Sequence, residues 1–364
     1  MKRAPDEPAA TLRQRNKTPS SSSSARKDIA SSQQAVEKKD SDSNFAIPPI
    51  DSVSPWLVAL LYFLNPLSIM SCVSNSTTVW SFAALTGSLH HACRGNSIQS
   101  MFLLAAATYL GVYPVVAVAP CMMILLSSPG KVEGKGKEKG KSGILAMGFL
   151  FLLFFAILMA ASYILMDNSM TFIESTYGVM YGPIFSANDM HARLFVPDLS
   201  PNIGLHWYFF IEMFDQFRLF FQCVFQLVAC FALVAPVCTK FARYPVFAAY
   251  VLIALSTILK TYPSIGDLAL SFALVPLFPE LFRYTSGLYL PSMFLISSSW
   301  LLPMFHHLWL YSGSGNANFF YASTLVLNTG HVGWVIELIR AKVKREGERK
   351  GGVLRQLNLE TAIM

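Results

Sequence analysis

The chain has 364 residues, of which 53% are hydrophobic and only 13% charged, against about 25% charged in an ordinary soluble domain. That balance excludes a soluble globular enzyme. The formal charge of +7 then belongs to the loops of a membrane protein, where basic residues gather on the cytoplasmic side, and no nucleic-acid partner is expected.

Residues 1–51 are rich in Ser, Lys, Arg, Asp and Pro, with an unbroken serine run from Ser20 to Ser24. Such a segment buries too little apolar area to offset its ordering entropy. It reads as a disordered tail and not as a signal peptide, because no apolar stretch follows its first bases. Its Asn16-Lys17-Thr18 sequon matters only on the lumenal side.

Beyond the tail, no Lys, Arg, Asp or Glu occurs in 52–93, 95–130, 142–166, 219–239, 244–259 or 284–336. A spanning helix needs about 20 apolar residues. Spans are therefore expected near 56–73, 77–93, 98–127, 144–166, 205–237, 246–262, 267–282, 286–311 and 319–338. The fold class is all-α: a polytopic membrane helical bundle over 52–340, followed by a basic cytoplasmic tail, 341–364. Asn65-Pro66, Tyr113-Pro114, Pro276, Pro279, Pro291 and Pro303 fall within or beside these spans. A proline inside a helix removes a backbone hydrogen bond and clashes with the preceding turn, and in a bilayer the freed carbonyls need a protein or water partner. Broken helices lining a cavity are expected.

Orientation follows from charge. Loop 130–141 has five lysines against two glutamates, 238–245 has Lys240 and Arg243, and 340–355 has seven bases; all three are placed in the cytoplasm. Segment 167–204 carries Asp167, Glu174, Asp189 and Asp198 against Arg193 alone, so it is placed in the lumen, with 312–318. A cytoplasmic tail requires 98–127 to divide at Tyr113-Pro114 into two half-length helices.

The six cysteines lie in or beside apolar tracts with no C-x-x-C pair, which suits helix packing better than disulfides or zinc. The Gly134 to Ser142 run has three residues between Gly136 and Gly140 where a phosphate-binding loop needs four, and no strand precedes it. His90-His91 and His306-His307 are neighbours, about 100° apart on a helix, so no metal site is expected. Three polar features interrupt the apolar tracts. Glu212, Asp215 and Arg218 follow at i, i+3 spacing on one expected helix, either as a functional site, since intramembrane charge is costly, or as a self-neutralising triad. Lys260 and Asp267 bracket a Pro263–Gly266 turn, where the lysine either snorkels or meets an anion. Tyr311 to Ala322 joins two spans through Ser312, Ser314, Asn316 and Asn318, followed by aromatics. That is either a polar turn with an aromatic belt or part of a lipid head-group pocket.

Several of these segments together resemble the PIG-U family. They are Asn65-Pro66 with Ser71-Cys72-Val73, Thr108-Tyr109-Leu110 with Tyr113-Pro114, Val196 to Leu205 running into Trp207 to Phe214, Lys260 to Asp267, and Gly313 to Ala322, in order over about 56–346. The resemblance implies the multispanning subunit of the glycosylphosphatidylinositol (GPI) transamidase, in the endoplasmic reticulum membrane. It implies a fold similar to the membrane part of lipid-linked-sugar glycosyltransferases, with no catalytic residue, cofactor or metal of its own. The implied partners are a caspase-like PIG-K subunit, PIG-T, PIG-S and a metallopeptidase-like anchor-attachment subunit. By motif, Asn316, Asn318 and Lys260 are implied as GPI-contacting, with Glu212, Asp215, Arg218, Asp267 and Asn202 as structural or lipid-facing positions. The family has a further N-terminal span and lumenal loop where this chain has the Ser-rich tail, so a truncated, replaced or lost start is expected. An active lipid-linked mannosyltransferase is the alternative function, but such enzymes place acids in the first lumenal loop, and no lumenal segment of this chain has an acid before Asp167. A transporter would explain broken helices, without any internal repeat to support it.

Overall fold

The computed structural model describes residues 55–127, 137–166 and 201–363, and among these residues there are helices, turns and loops but no strand. The tail 1–51 and most of the segments 130–141 and 167–204 lie outside the described residues.

Helices α1 (Pro55–Phe63) and α2 (Pro66–Val73) are bent by 59° relative to each other. The bend is local chemistry: the Asn65 side chain accepts from Leu67 N at 3.0 Å, and Pro66 takes the first helical position, where its missing N–H costs nothing. Helix α3 (Thr78–Cys93) packs on α4 (Ser97–Leu110). At Gly111 the backbone turns extended, a 3-10 turn covers Tyr113–Ala117, and α5 (Val118–Ser127) follows. The 98–127 tract thus divides beside Tyr113-Pro114. Helix α6 (Lys137–Leu165) lies at the side of α4, with Phe102 edge-on to Phe154 at 5.4 Å.

The expected 205–237 span is three helices: α7 (His206–Glu212), α8 (Asp215–Leu227) and, after a π turn at Val228–Ala232, α9 (Val234–Lys240). Helix α10 (Pro245–Leu259) is central. Phe247, Ala248, Val251 and Ala254 are each at most 1% exposed, and α5, α11 (Ile265–Ala273) and α13 (Ala317–Ile363) pack against it. Two 3-10 turns, Val275–Leu277 and Pro279–Tyr284, lead into α12 (Tyr289–Leu310). Pro303 lies inside α12 without ending it, contrary to the expectation that it breaks the helix. Helices α12 and α13 pair closely: a Cβ on Gly333 would lie 2.7 Å from Pro291 Cγ and one on Gly330 2.9 Å from Pro291 O. The two glycines let the backbones approach.

Ser142–Leu165 is the one described helix long and apolar enough to cross a membrane, and α1 with α2 passes only as a bent pair. The other expected spans are divided into helices shorter than a bilayer, or carry too many polar residues, as the serines and histidines of α12 illustrate. Helix α13 does not stop at the basic cluster but runs 47 residues, so the expected tail is helical.

Candidate functional site

Two of the resemblance motifs, the 201–208 and 313–322 stretches, meet at the start of α13. Helix α12 ends at Leu310, and Leu308 O accepts from both Ser314 N (3.1 Å) and Gly315 N (3.0 Å), folding the chain back on itself. Gly313 makes this turn with φ +65°, a region that only glycine enters freely. Asn316 then starts α13 by accepting from Phe319 N at 3.2 Å, satisfying one of the donors left open at a helix N-terminus. One residue into the helix, Asn318 Oδ1 accepts from the Tyr208 hydroxyl of α7. Asn316 and Asn318 are exposed, and among the described residues the NH2 group of each amide has no partner. Two unengaged donors thus stand beside one another at the tip of α13.

Aromatic rings fix this tip. Trp207, 2% exposed, stacks on Trp309 at 6.4 Å and meets Tyr321 edge-on at 5.8 Å. Tyr208 and Tyr321 lie 4.8 Å apart. The Tyr321 hydroxyl donates to Leu205 O at 2.9 Å, and Asn328 Nδ2 donates to Ile203 O at 2.9 Å. The Pro201 to Leu205 stretch is thereby tied to α13. Asn202 serves that turn from within, accepting from Gly204 N at 2.7 Å. Gly204 has no room for a side chain, since a Cβ there would lie 2.7 Å from both Asn202 Oδ1 and Pro263 Cδ.

Lys260 is placed differently. Its ammonium lies 2.5 Å from Asp267 Oδ2, with both side chains nearly buried, and 5.5 Å from the Tyr113 ring centroid. The same carboxylate oxygen accepts from Ser264 N (2.7 Å) and Ser264 Oγ (2.8 Å), and Ser264 Oγ accepts from Asp267 N (3.3 Å). Asp267 is therefore both the capping-box partner that starts α11 and the counter-ion of Lys260. The lysine meets an anion, as one of the two sequence readings had it. The pair lines a cavity of about 60 Å³ together with Thr78, Ser81, Ser256 and Thr257, enough for a few waters. Neither asparagine lines that cavity. Lys260 and the asparagine tip are joined instead through the 203–206 backbone, since His206 Nε2 contacts Leu259 O at 3.0 Å.

The expected Glu212–Asp215–Arg218 stripe does not form. Helix α7 ends at Glu212, Met213 and Phe214 are extended (ψ 142° and 136°), and α8 begins at Asp215, so no single helix carries all three. Arg218 instead reaches back to cap α7, donating to Phe210 O at 2.9 Å and Met213 O at 3.3 Å, carbonyls left open by the helix end. Glu212 is exposed, and the Asp215 side chain lies outside the described residues. Tyr208, Tyr321 and Asn328 were not singled out as site residues from sequence. The signal for Tyr208 and Tyr321 was that each sits inside a stretch carrying the resemblance.

The family model described as "GPI transamidase subunit PIG-U" matches residues 10–327. The GPI-anchor transamidase component PIGU of Cricetulus griseus is 36% identical over 297 residues, covering 80% of this chain and 64% of that protein. Its Homo sapiens counterpart is 35% identical over the same length and shares. The GPI transamidase component GAB1 of Saccharomyces cerevisiae is 32% identical over 296 residues, 80% of this chain and 68% of its own. The chain spans slightly less than two thirds of the length of the two PIGU relatives.

Proposed function

Because the chain belongs to the PIG-U family of GPI transamidase subunits, we propose that it acts as a non-catalytic subunit of that complex, recognising the GPI lipid, the C-terminal attachment signal, or both. In this reading residues 52–340 form a multi-pass domain of the endoplasmic reticulum membrane, similar to the membrane part of lipid-linked-sugar glycosyltransferases, with 1–51 and 341–364 as cytoplasmic ends. It works beside a caspase-like PIG-K subunit that carries the catalytic cysteine, together with PIG-T, PIG-S and a metallopeptidase-like subunit.

The observation that supports a recognition role is the tip of α13. Asn316 and Asn318 present two unengaged amide NH2 groups on a scaffold held by Tyr208 and Tyr321. Amide donors suit the phosphate and hydroxyl oxygens of a glycosylated phospholipid, and the rings below suit the boundary of its apolar part. Lys260 joins the proposed contacts by exchanging Asp267 for a ligand phosphate. Replacing Asn316 and Asn318 together by Ala is expected to lower GPI attachment to a reporter while the subunits still co-purify. Normal attachment in that variant would falsify the assignment.

A further inference from the structure

Midway along α13 the structure carries a second polar surface, unrelated to the asparagine tip. The 279–287 segment runs antiparallel to α13, pinned at two places. Glu280 Oε1 accepts from Arg345 Nη1 at 3.1 Å, and Glu337 Oε2 accepts from Gly287 N at 3.3 Å. Between these pins lie Arg283 on the segment and Arg340 and Lys344 on the helix. Arg340 and Lys344 are one turn apart and share a face. All three are exposed. Glu337 also takes Arg340 at 3.0 Å, while Arg283 and Lys344 have no hydrogen-bond or ionic partner among the described residues. Glu280 and Arg345 neutralise each other. The ledge of Arg283, Arg340 and Lys344 against Glu337 is left with a net charge of +2, counted as three cations less one carboxylate.

The position of the ledge is set by the apolar chain around it. The charge-free tract ends at residue 336, with Val335, Leu338 and Ala341 buried against the core. In the membrane reading proposed above, Arg283 therefore stands at the hydrocarbon boundary and Arg340 and Lys344 about one and two turns past it, at the level of phospholipid head groups. A net positive charge at that depth attracts net-anionic lipid.

We propose that Arg283, Arg340 and Lys344 form a binding site for the head group of an anionic glycerophospholipid of the cytoplasmic leaflet. The guanidinium groups give planar, forked donors to the lipid phosphate, and the ammonium of Lys344 adds a point charge toward a second anionic group of the head. Zwitterionic lipid, whose own cation offsets its phosphate, binds weakly here.

The test uses the full chain, purified in detergent with its co-purifying subunits and exchanged into nanodiscs, and reads lipid retained after delipidation by native mass spectrometry. The probes are phosphatidylserine and phosphatidylcholine. Phosphatidylserine is expected to be retained in preference, with retention falling about fivefold for each cation removed in Arg283→Gln, Arg340→Gln and Lys344→Gln. A charge-matched control, Lys135→Gln with Lys137→Gln and Lys139→Gln, is expected to keep wild-type retention. Equal retention of the two lipids, or equal loss in the control, overturns the proposal in favour of no site or of diffuse attraction. Full displacement of phosphatidylserine by soluble glycerophosphoserine also overturns it, since the acyl chains would then contribute nothing. Because the readout is lipid retention and not GPI attachment, its failure leaves the asparagine tip untouched.

Discussion

Single residues here do two jobs where the sequence suggested one. Asp267 caps α11 and neutralises Lys260 with the same oxygen. Lys260→Met therefore leaves a nearly buried carboxylate without its counter-ion, a change that costs about 3–5 kcal/mol in such settings. We expect the variant to melt earlier in detergent and Lys260→Met with Asp267→Asn to recover much of the loss. An undiminished melting temperature in the single variant would show that the pair contributes nothing to stability. Lys342 gives a second case. It is 3% exposed, its ammonium lies 3.4 Å from the Tyr244 ring centroid, and burial pulls its pKa down to about 8 while pushing Tyr244 up to about 12. A lysine whose folded pKa lies below its unfolded value releases its proton more readily in the folded state. Between about pH 8 and 10 the unfolded chain holds more protons, so stability rises with pH. Above pH 10 the unfolded tyrosine ionises first and opposes the gain. Melts at stepped pH are expected to show this rise in the wild type and a flat profile in Lys342→Met.

At the scale of elements, close approach rather than propensity decides the packing. A Cβ at Gly333 would fall 2.7 Å from the rigid Pro291 ring, so Gly333→Val is expected to force α12 from α13 and cost about 1–3 kcal/mol. A thermal melt of the purified chain checks it, an unchanged midpoint meaning that the contact is slack. Helix breaks were legible where a side chain forces them. Asn65-Pro66 supplies its own cap and proline start, and the 98–127 tract turns at Gly111 just ahead of Tyr113-Pro114. The break at Met213-Phe214 was not legible. Neither residue is a helix breaker, and what closes the end of α7 is Arg218, a contact from the next helix that no local pattern encodes. Pro303 misled in the other direction, since α12 passes through it. Of the candidate site, the asparagine turn was readable from its glycines and amides. Its ties to 203–208 depend on residues more than a hundred positions away in sequence.

For the whole molecule, the divided 98–127 tract has a topological consequence. In the membrane reading proposed above, the half-length helices Ser97–Leu110 and Val118–Ser127 enter and leave on one side, a reading that puts residues 1–51 and the basic 130–141 loop together in the cytoplasm. Protease added to sealed microsomes is expected to cleave an epitope on the tail without detergent, and protection of that epitope would place it in the lumen. Helix α13 is 47 residues long, about 70 Å at 1.5 Å per residue. Asn318 sits on its first turn and Arg340 and Lys344 lie some six to seven turns on, with no helix break between. A stiff rod transmits tilt as well as translation. If the asparagine tip binds as proposed, a reorientation there is carried along this unbroken helix to Arg340 and Lys344, so the longest element of the chain is also its most direct mechanical link between the two polar surfaces.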